Sequence, residues 1–419
     1  MTDKMILGED VIYSTDCSQT GLNNNVLVCG ASGCGKTMSI TESRLLETFH
    51  SSVIATVTKR RIVEKYKPMF RRRGYIVEDL NFITPSESDV AYDPLEYVSS
   101  YADIRFLAES IVKADPQKDK STADPYWDHA AISLLSAEIA YILMTEQAPT
   151  FADVLELHDR ITFEERSNQI ETSLDILFDI MEKTNPGSFA VSCWRSFRQL
   201  PLKTASCVFG TLNTTIDTIF SPELRAMIAQ KKKVDFEKFA SQKTVLFIST
   251  SAVNPALHNF INIFYAQAFK QLFEFAESRL SGRLPIPVYV LCDDFATGSR
   301  ILNFPEYISI FREKGISVTL LVQSESQIES MYSPEDATTI INNCDTYLYM
   351  GGMDLTTARH ISERLNAPLE DVLSMPVGQE FIFRRGQKPI VTKRYNILQN
   401  ELYLKITQNY EKRIHTNER

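Results

Sequence analysis

The chain reads as an α/β protein with a mainly parallel sheet, interrupted by an all-α insertion, and three observations carry that reading. Near-continuous apolar runs of strand length alternate with helical patterns, as expected of parallel strands covered on both faces. Near the start, a strand-like run, a glycine-rich turn and a helical pattern follow one another directly. From about Tyr101 to about Arg198 the strand signals stop, and the patterns are helical throughout. Residues 1–100 and 199–419 are therefore expected to be two parts of one α/β domain, with 101–198 inserted as an all-α domain.

The opening element is the most informative. Val26 to Cys29 is an apolar strand, and Gly30, Ala31, Ser32, Gly33, Cys34, Gly35, Lys36 and Thr37 match the phosphate-binding pattern G-x-x-x-x-G-K-[ST]. The backbone must bend round a polyphosphate and aim successive N–H groups inward, which side chains at the three glycines would obstruct. The helix that follows, with Met38, Leu45, Leu46 and Phe49 on one face, directs its positive end at the same anion. Lys36 is placed against the β and γ phosphates, and the Thr37 hydroxyl is placed to hold Mg²⁺. The α/β domain is thus expected to be a P-loop nucleotide-binding domain.

Met1 to Thr20 is short and polar, with one alternating patch, Val11 to Tyr13, that reads as an edge strand. Val53 to Val57 and Tyr75 to Leu80 are the next two strands. Between them, Lys59, Arg60, Arg61, Lys65, Lys67, Arg71, Arg72 and Arg73 form a basic stretch, which is either a solvated helix face or a strip tracking a nucleic-acid backbone. In the helical block, Leu135, Ile139 and Ile142 share a face within Trp127 to Met144. Tyr101 to Lys113, Phe151 to Arg160 and Leu174 to Lys183 are also helical, while Trp194, Arg195 and Arg198 read as packing and surface. Alternation then resumes with strands at Val245–Thr250, Val288–Cys292, Ile316–Val322, Thr346–Met350 and Glu380–Phe383, and helices at Ala256–Leu280 and Ile301–Lys314.

Composition narrows the class. The chain has 419 residues, enough for two or three domains, with 44% hydrophobic and 23% charged residues and no low-complexity tract. A net charge of −9 confines any nucleic-acid contact to a local patch. Seven cysteines stand singly and six histidines lack metal-ligand spacing, which predicts a reducing compartment and neither a disulfide framework nor a zinc site. No apolar run approaches the roughly 18 residues that span a bilayer, so the protein is expected to be cytoplasmic.

A second group of residues completes the expected site. The apolar strand Val288–Cys292 ends in Asp293 and Asp294. One acid beside a phosphate loop orients the Mg²⁺ shell through Thr37, here Asp293, and its neighbour Asp294 polarises the attacking water. Ile316–Val322 delivers Gln323 to the same edge, where an amide senses the γ-phosphate, positions water or caps a helix. Arg312, just before that strand, is either a helix-terminal arginine or one supplied to a neighbouring subunit's transition state.

Several phrases together resemble the type IV coupling proteins, the TraG/TraD-like ATPases of conjugation and type IV secretion. They are L-N-N-N-V-L-V-C-G-A-S-G-C-G-K-T at Leu22–Thr37, Y-D-P-L-E-Y at Tyr92–Tyr97, D-P-Y-W-D-H-A-A at Asp124–Ala131, V-L-C-D-D-F-A at Val290–Ala296, F-R-E-K-G-I-S-V-T-L-L-V-Q-S-E-S-Q at Phe311–Gln327 and I-N-N-C-D-T-Y-L-Y-M-G-G-M-D at Ile341–Asp354. The resemblance implies a RecA-like motor domain interrupted by an all-α domain. It implies homo-hexamers that hydrolyse ATP with Mg²⁺ at subunit interfaces, bind single- or double-stranded DNA without strong sequence preference, and recruit a relaxase-bound strand or protein substrate to a type IV secretion channel. A nucleotide-gated adaptor that binds ATP without appreciable hydrolysis is the alternative. A GTPase is disfavoured because no Asn-Lys-x-Asp phrase is present.

Three departures qualify the resemblance. Asp293-Asp294 stands where the family usually has Asp-Glu, which shortens the second carboxylate by one methylene. Thr58, Lys59, Arg60 and Arg61 stand roughly where the family has D-P-K-G-E, making that side of the pocket more basic. Family members commonly carry N-terminal membrane helices, whereas Met1 here leads almost directly into the phosphate-loop strand. The expectation is docking at the inner face of the membrane through a separate anchor protein, or action in the cytosol.

Overall fold

The computed structural model describes residues 3–114, 125–166, 169–230, 232–251 and 254–417. Its strands are β1 (Lys4–Gly8), β2 (Val11–Ser14), β3 (Val26–Cys29), β4 (Ser52–Val57), β5 (Ile76–Asn81), β6 (Phe163–Arg166), β7 (Gln169–Thr172), β8 (Thr244–Ser249), β9 (Val288–Cys292), β10 (Ile316–Val322), β11 (Thr346–Tyr349), β12 (Gln379–Arg384) and β13 (Ile390–Lys393). Nine of them form one sheet in the order β13-β12-β11-β3-β10-β9-β4-β8-β5. Every pairing from β11 across to β5 is parallel, and the β12–β13 hairpin extends the β11 side antiparallel. The RecA-like α/β architecture expected from the sequence is therefore present.

Each residue of β3, β4, β8, β9, β10 and β11 is buried, the physical reason these strands read as near-continuous apolar runs. Parallel pairing also aligns the strand ends. Residues that follow β3, β9 and β10 emerge at one carboxyl edge, with β10 lying between the other two.

Several elements differ from expectation for local reasons. Val11–Ser14 pairs with Lys4–Gly8 as a separate two-stranded ladder and does not enter the main sheet by strand pairing. The helix after the phosphate loop opens with a wide, π-type turn over Thr37–Glu42 before Ser43–Leu46 becomes α-helical, a form often found at functional sites. The helix expected from Ile301 begins at Phe304, because Asn303 adopts a left-handed conformation (φ 57°) and Pro305 occupies its first turn.

The helical stretch is continuous with the sheet's core. Its central helix, Pro125–Thr145, is apolar well beyond the single face suggested by Leu135, Ile139 and Ile142, and also buries Leu134, Ala137, Ala140 and Ile132. Such a helix belongs in an interior, here among Tyr101–Val112, Phe151–Asp159 and Phe189–Arg198. Trp194 stacks on Phe178 at 4.6 Å, as expected of a packing residue. Two observations stand beside the expected insertion: the stretch contains the short β6–β7 ladder, and helices continue to Ser241. Asp124 of the D-P-Y-W-D-H-A-A phrase lies outside the described residues.

The long helix Pro255–Glu277 joins the two parts. Its Phe260 ring lies 5.3 Å from Phe82 and 5.2 Å from Tyr92 on the sheet side, and 5.4 Å from Phe220 on the helical side. Truncating this fully buried ring, Phe260→Ala, is expected to cost about 3–5 kcal/mol. Both tryptophans lie in the helical stretch, so their fluorescence in a denaturant titration should shift together with far-ultraviolet circular dichroism. Separated transitions would show that the two parts unfold independently.

Candidate functional site

The phosphate loop is fixed at its root by both neighbouring strands. Gly30 N–H donates to the Val322 carbonyl (3.2 Å) at the end of β10, and Ala31 N–H to the Gly351 carbonyl (2.8 Å) just beyond β11. A side chain at Gly30 would bring a Cβ within 2.8 Å of Cys34 Sγ and 2.9 Å of Met350 Cβ, so the close approach requires glycine. Ser32 and Gly33 form the exposed crest. Lys36 is buried, and its ammonium donates to the carbonyls of Gly30 and Ala31 (3.1 Å to the latter), spanning the mouth of the loop.

Asp293 reaches the same point from the far end of the sequence. The Thr37 hydroxyl donates to Asp293 Oδ2 at 3.1 Å, with Oδ1 at 3.4 Å. The two residues meet because β9 lies only one strand from β3. A hydroxyl and a carboxylate are the hard oxygen donors that suit Mg²⁺, which usually takes one or two protein ligands beside substrate phosphates. These residues fit that ion.

Asp294 is half-buried and left-handed (φ 56°), a conformation in which aspartate is enriched among non-glycine residues. The shorter acid suits this sharp turn, which Phe295 N–H closes by donating to the Leu321 carbonyl at 3.0 Å. Gln323 is exposed at the end of β10, beside the loop root; Cys29 Sγ lies 3.7 Å from its carbonyl, and its own N–H donates to Gln327 Oε1. Lys36, Thr37, Asp293, Asp294 and Gln323 thus share one sheet edge.

Arg312 does not join them within one chain. It is exposed at the end of Phe304–Lys314, before β10 begins, so the length of that seven-residue strand, about 20 Å, separates it from Gln323. There it lines a cleft of about 680 Å³ with Asp16, Cys17, Arg283 and Glu313.

Half of the basic stretch is consumed inside the fold. Lys65 pairs with buried Glu42, Lys67 and Arg60 pair with buried Asp79, and Arg73 donates to the carbonyls of Leu46 and Thr48. Arg61, Arg71 and Arg72 are exposed. Lys59, also exposed, is close enough to Asp293 to favour its charged form.

Two contributors escaped sequence reasoning. Arg394, following β13, donates through Nη1 to the Cys34 carbonyl. Asn262 on the long helix donates to the carbonyls of Thr297 and Ser299, holding the turn after the twin aspartates. Neither belongs to a local motif; only the pairing of distant strands and helices brings them here.

The family model described as "Type IV secretory system Conjugative DNA transfer" matches residues 2–367. The fold is similar to that of the bacterial conjugative coupling protein TrwB lacking its first 70 residues, in complex with sulphate: TM-score 0.67, 16% identity, covering 89% of this chain and 85% of that one. The TrwB complex with the ATP analogue ADPNP gives a TM-score of 0.65 at 15% identity with the same coverage. VirB4 of Thermoanaerobacter pseudethanolicus gives 0.59 at 12% identity, covering 96% of this chain and 98% of that one. No curated protein matches.

Burial, reinforced by the neighbouring Asp294 charge, pushes Asp293 up to about 6, against the opposing pull of Thr37, Lys36 and Lys59. A carboxyl raised on folding binds its proton more tightly in the native state, so its ionisation costs stability as pH climbs from about 4 through 6 and the cost is constant above. In the metal-free protein, Asp293→Asn is therefore expected to stabilise by about 2–3 kcal/mol at pH 7.5, with most of the gain lost at pH 4. Paired urea titrations at the two pH values would check this; an equal gain at both would contradict it.

Proposed function

The chain belongs to the type IV secretory system conjugative DNA transfer family, and from that premise we propose that it is an ATP-hydrolysing coupling protein. It would move DNA, or bring a relaxase-bound strand or protein substrate, to a type IV secretion channel. The observation that carries this reading is the contact between Thr37 and Asp293, a loop residue and an acid from separate strands brought to hydrogen-bonding distance at one edge.

The roles follow from the chemistry of each group. The loop amides and Lys36 bind the β and γ phosphates of ATP, with the ammonium leaving its carbonyl partners for the anion. Thr37 and Asp293 hold Mg²⁺, which when bound neutralises charge on the phosphate oxygens. Asp294 accepts a hydrogen bond from the attacking water and orients it. Gln323, on the strand between loop and acids, reports the γ-phosphate to β10. Such positioning and charge stabilisation account for most phosphoryl-transfer catalysis.

Arg312 acts in trans. Its place at the opposite edge means that one chain cannot use its own Arg312 at its own phosphate site, whereas a ring of copies, six in our reading, can present it to a neighbour. Residues 1–100 and 199–419 are assigned to the nucleotide domain and 101–198 to a domain that docks substrate. No described helix is long and apolar enough to cross a membrane, and we assign membrane attachment to a partner.

Lys36→Ala is expected to lower ATP turnover at least a hundredfold, and Asp294→Asn to do the same while retaining ATP binding. Single-stranded DNA should stimulate the wild-type protein, and that stimulation should fall steeply across a salt series as phosphate contacts are screened. ATP binding with no turnover under any condition would favour the adaptor instead. Absence of ATP binding would overturn both.

A further inference from the structure

The structure brings an arginine to the phosphate loop from within the same chain, and this residue, Arg394, lies outside residues 2–367 that the family model matches. The residue follows β13, at the end of the antiparallel hairpin. Its N–H donates to the Gly378 carbonyl (2.9 Å), and the hairpin is tied to the β1–β2 turn by Glu9 N–H donating to the Lys393 carbonyl (2.8 Å) and the Thr392 hydroxyl donating to the Glu9 carbonyl (3.1 Å).

Beyond Arg394 the chain crosses the helix that opens with Thr37. Tyr395 and buried Ile397 pack into the cluster that contains Leu45 and Leu46, and the helix Glu401–Asn417 docks on Arg60–Arg72, where the Lys65 ammonium lies 4.1 Å from the Tyr403 ring. Arg394 is therefore held from both sides.

We infer that Arg394 is a positioning residue for polyphosphate binding, fixing the bend of the phosphate loop through the Cys34 carbonyl and strengthening the N–H donor on the other side of the same peptide. The guanidinium donates to the oxygen of the Cys34–Gly35 peptide. A charged donor on a carbonyl polarises the whole amide, so the Gly35 N–H becomes a better donor to an anion bound in the loop. Gly35 is shaped for this twice over. Its φ of 98° is open to glycine, and a Cβ there would lie 2.5 Å from Arg394 Nη1. Across the hairpin from Thr392, Glu380 is buried with neither carboxyl oxygen partnered among the described residues. Burial raises it to about 8 and Arg394 opposes that rise. No hydrogen bond joins the Glu380 carboxyl to Arg394, which leaves the guanidinium to the loop.

This inference rests on the nucleotide-site reading above, and one set of titrations separates them. Calorimetric binding of MgADP is measured for the wild type, Lys36→Ala, Arg394→Ala and Arg394→Lys, with ATP kinetics alongside. Arg394→Ala should weaken MgADP binding about tenfold, the scale of one charge-assisted hydrogen bond, and raise KM for ATP while kcat stays within about twofold. Arg394→Lys, which keeps the charge but loses the planar fork, should recover part of the loss. Wild-type affinity in Arg394→Ala, with Lys36→Ala defective, overturns the inference alone; no MgADP binding by the wild type overturns the nucleotide site itself. Should Arg394→Ala fail to fold, unchanged affinity in Arg394→Lys overturns the inference and a severalfold loss supports it.

Discussion

The candidate site depends on the parallel adjacency of β3, β10 and β9, which brings the Thr37 hydroxyl within hydrogen-bond distance of the Asp293 carboxylate, 256 positions away. Neither local motif creates that contact. It exists because β3, β10 and β9 are adjacent and parallel, so their chains all leave the sheet at one edge. Parallel pairing forces each connection to travel back over a face of the sheet, which is why the intervening segments are helices and the strands are buried on both sides. The apolar strands and the clustered polar edge are one consequence of the same topology.

Charge is managed differently at the edge and behind it. At the edge, Asp293 and Asp294 stand next to each other with Asp293 buried, an arrangement that is costly without a cation. Behind it, buried acids are answered by the basic stretch. Glu42 on the loop helix receives Lys65 and the Tyr66 hydroxyl, and Asp79 receives Arg60 and Lys67. Removing one partner of such a pair strands a buried charge, so these basic residues serve the core more than the surface. An overall acidic chain can thus carry a dense basic stretch and turn half of it inward, leaving Lys59, Arg61, Arg71 and Arg72 exposed.

What the sequence made legible follows the range over which its signals act. The phosphate loop is a continuous run, and Val26–Thr37 announces strand, turn and helix start together. The twin aspartates are legible because an apolar run ends in charge at Asp293. Gln323 is legible only as a strand-end residue, and its place between loop and acids depends on sheet order, which periodicity does not encode. The basic stretch was ambiguous because Lys65 and Lys67 look solvated until Glu42 and Asp79 are brought against them. Arg394 and Asn262 carried no signal, since one acts through a backbone carbonyl 360 residues away and the other through carbonyls of a turn. The continuity of the core was hidden because Phe260 reads as any apolar helix residue.

That last residue shows how the site is joined to the rest of the molecule. The long helix Pro255–Glu277 touches the turn after the twin aspartates with one set of side chains and the helical stretch with another. Asn262 holds the carbonyls of Thr297 and Ser299, and Gly298, at φ 78°, lies so close to His258 and Asn259 that a Cβ there would approach the His258 Cβ to 2.8 Å. Between these positions Phe260 projects into the rings of Tyr92 and Phe220. Packed interiors yield little to small displacements, so these contacts hold the turn after Asp294 and the helix as one packed unit. The aromatic contacts of the same helix hold the helical stretch in the core as well.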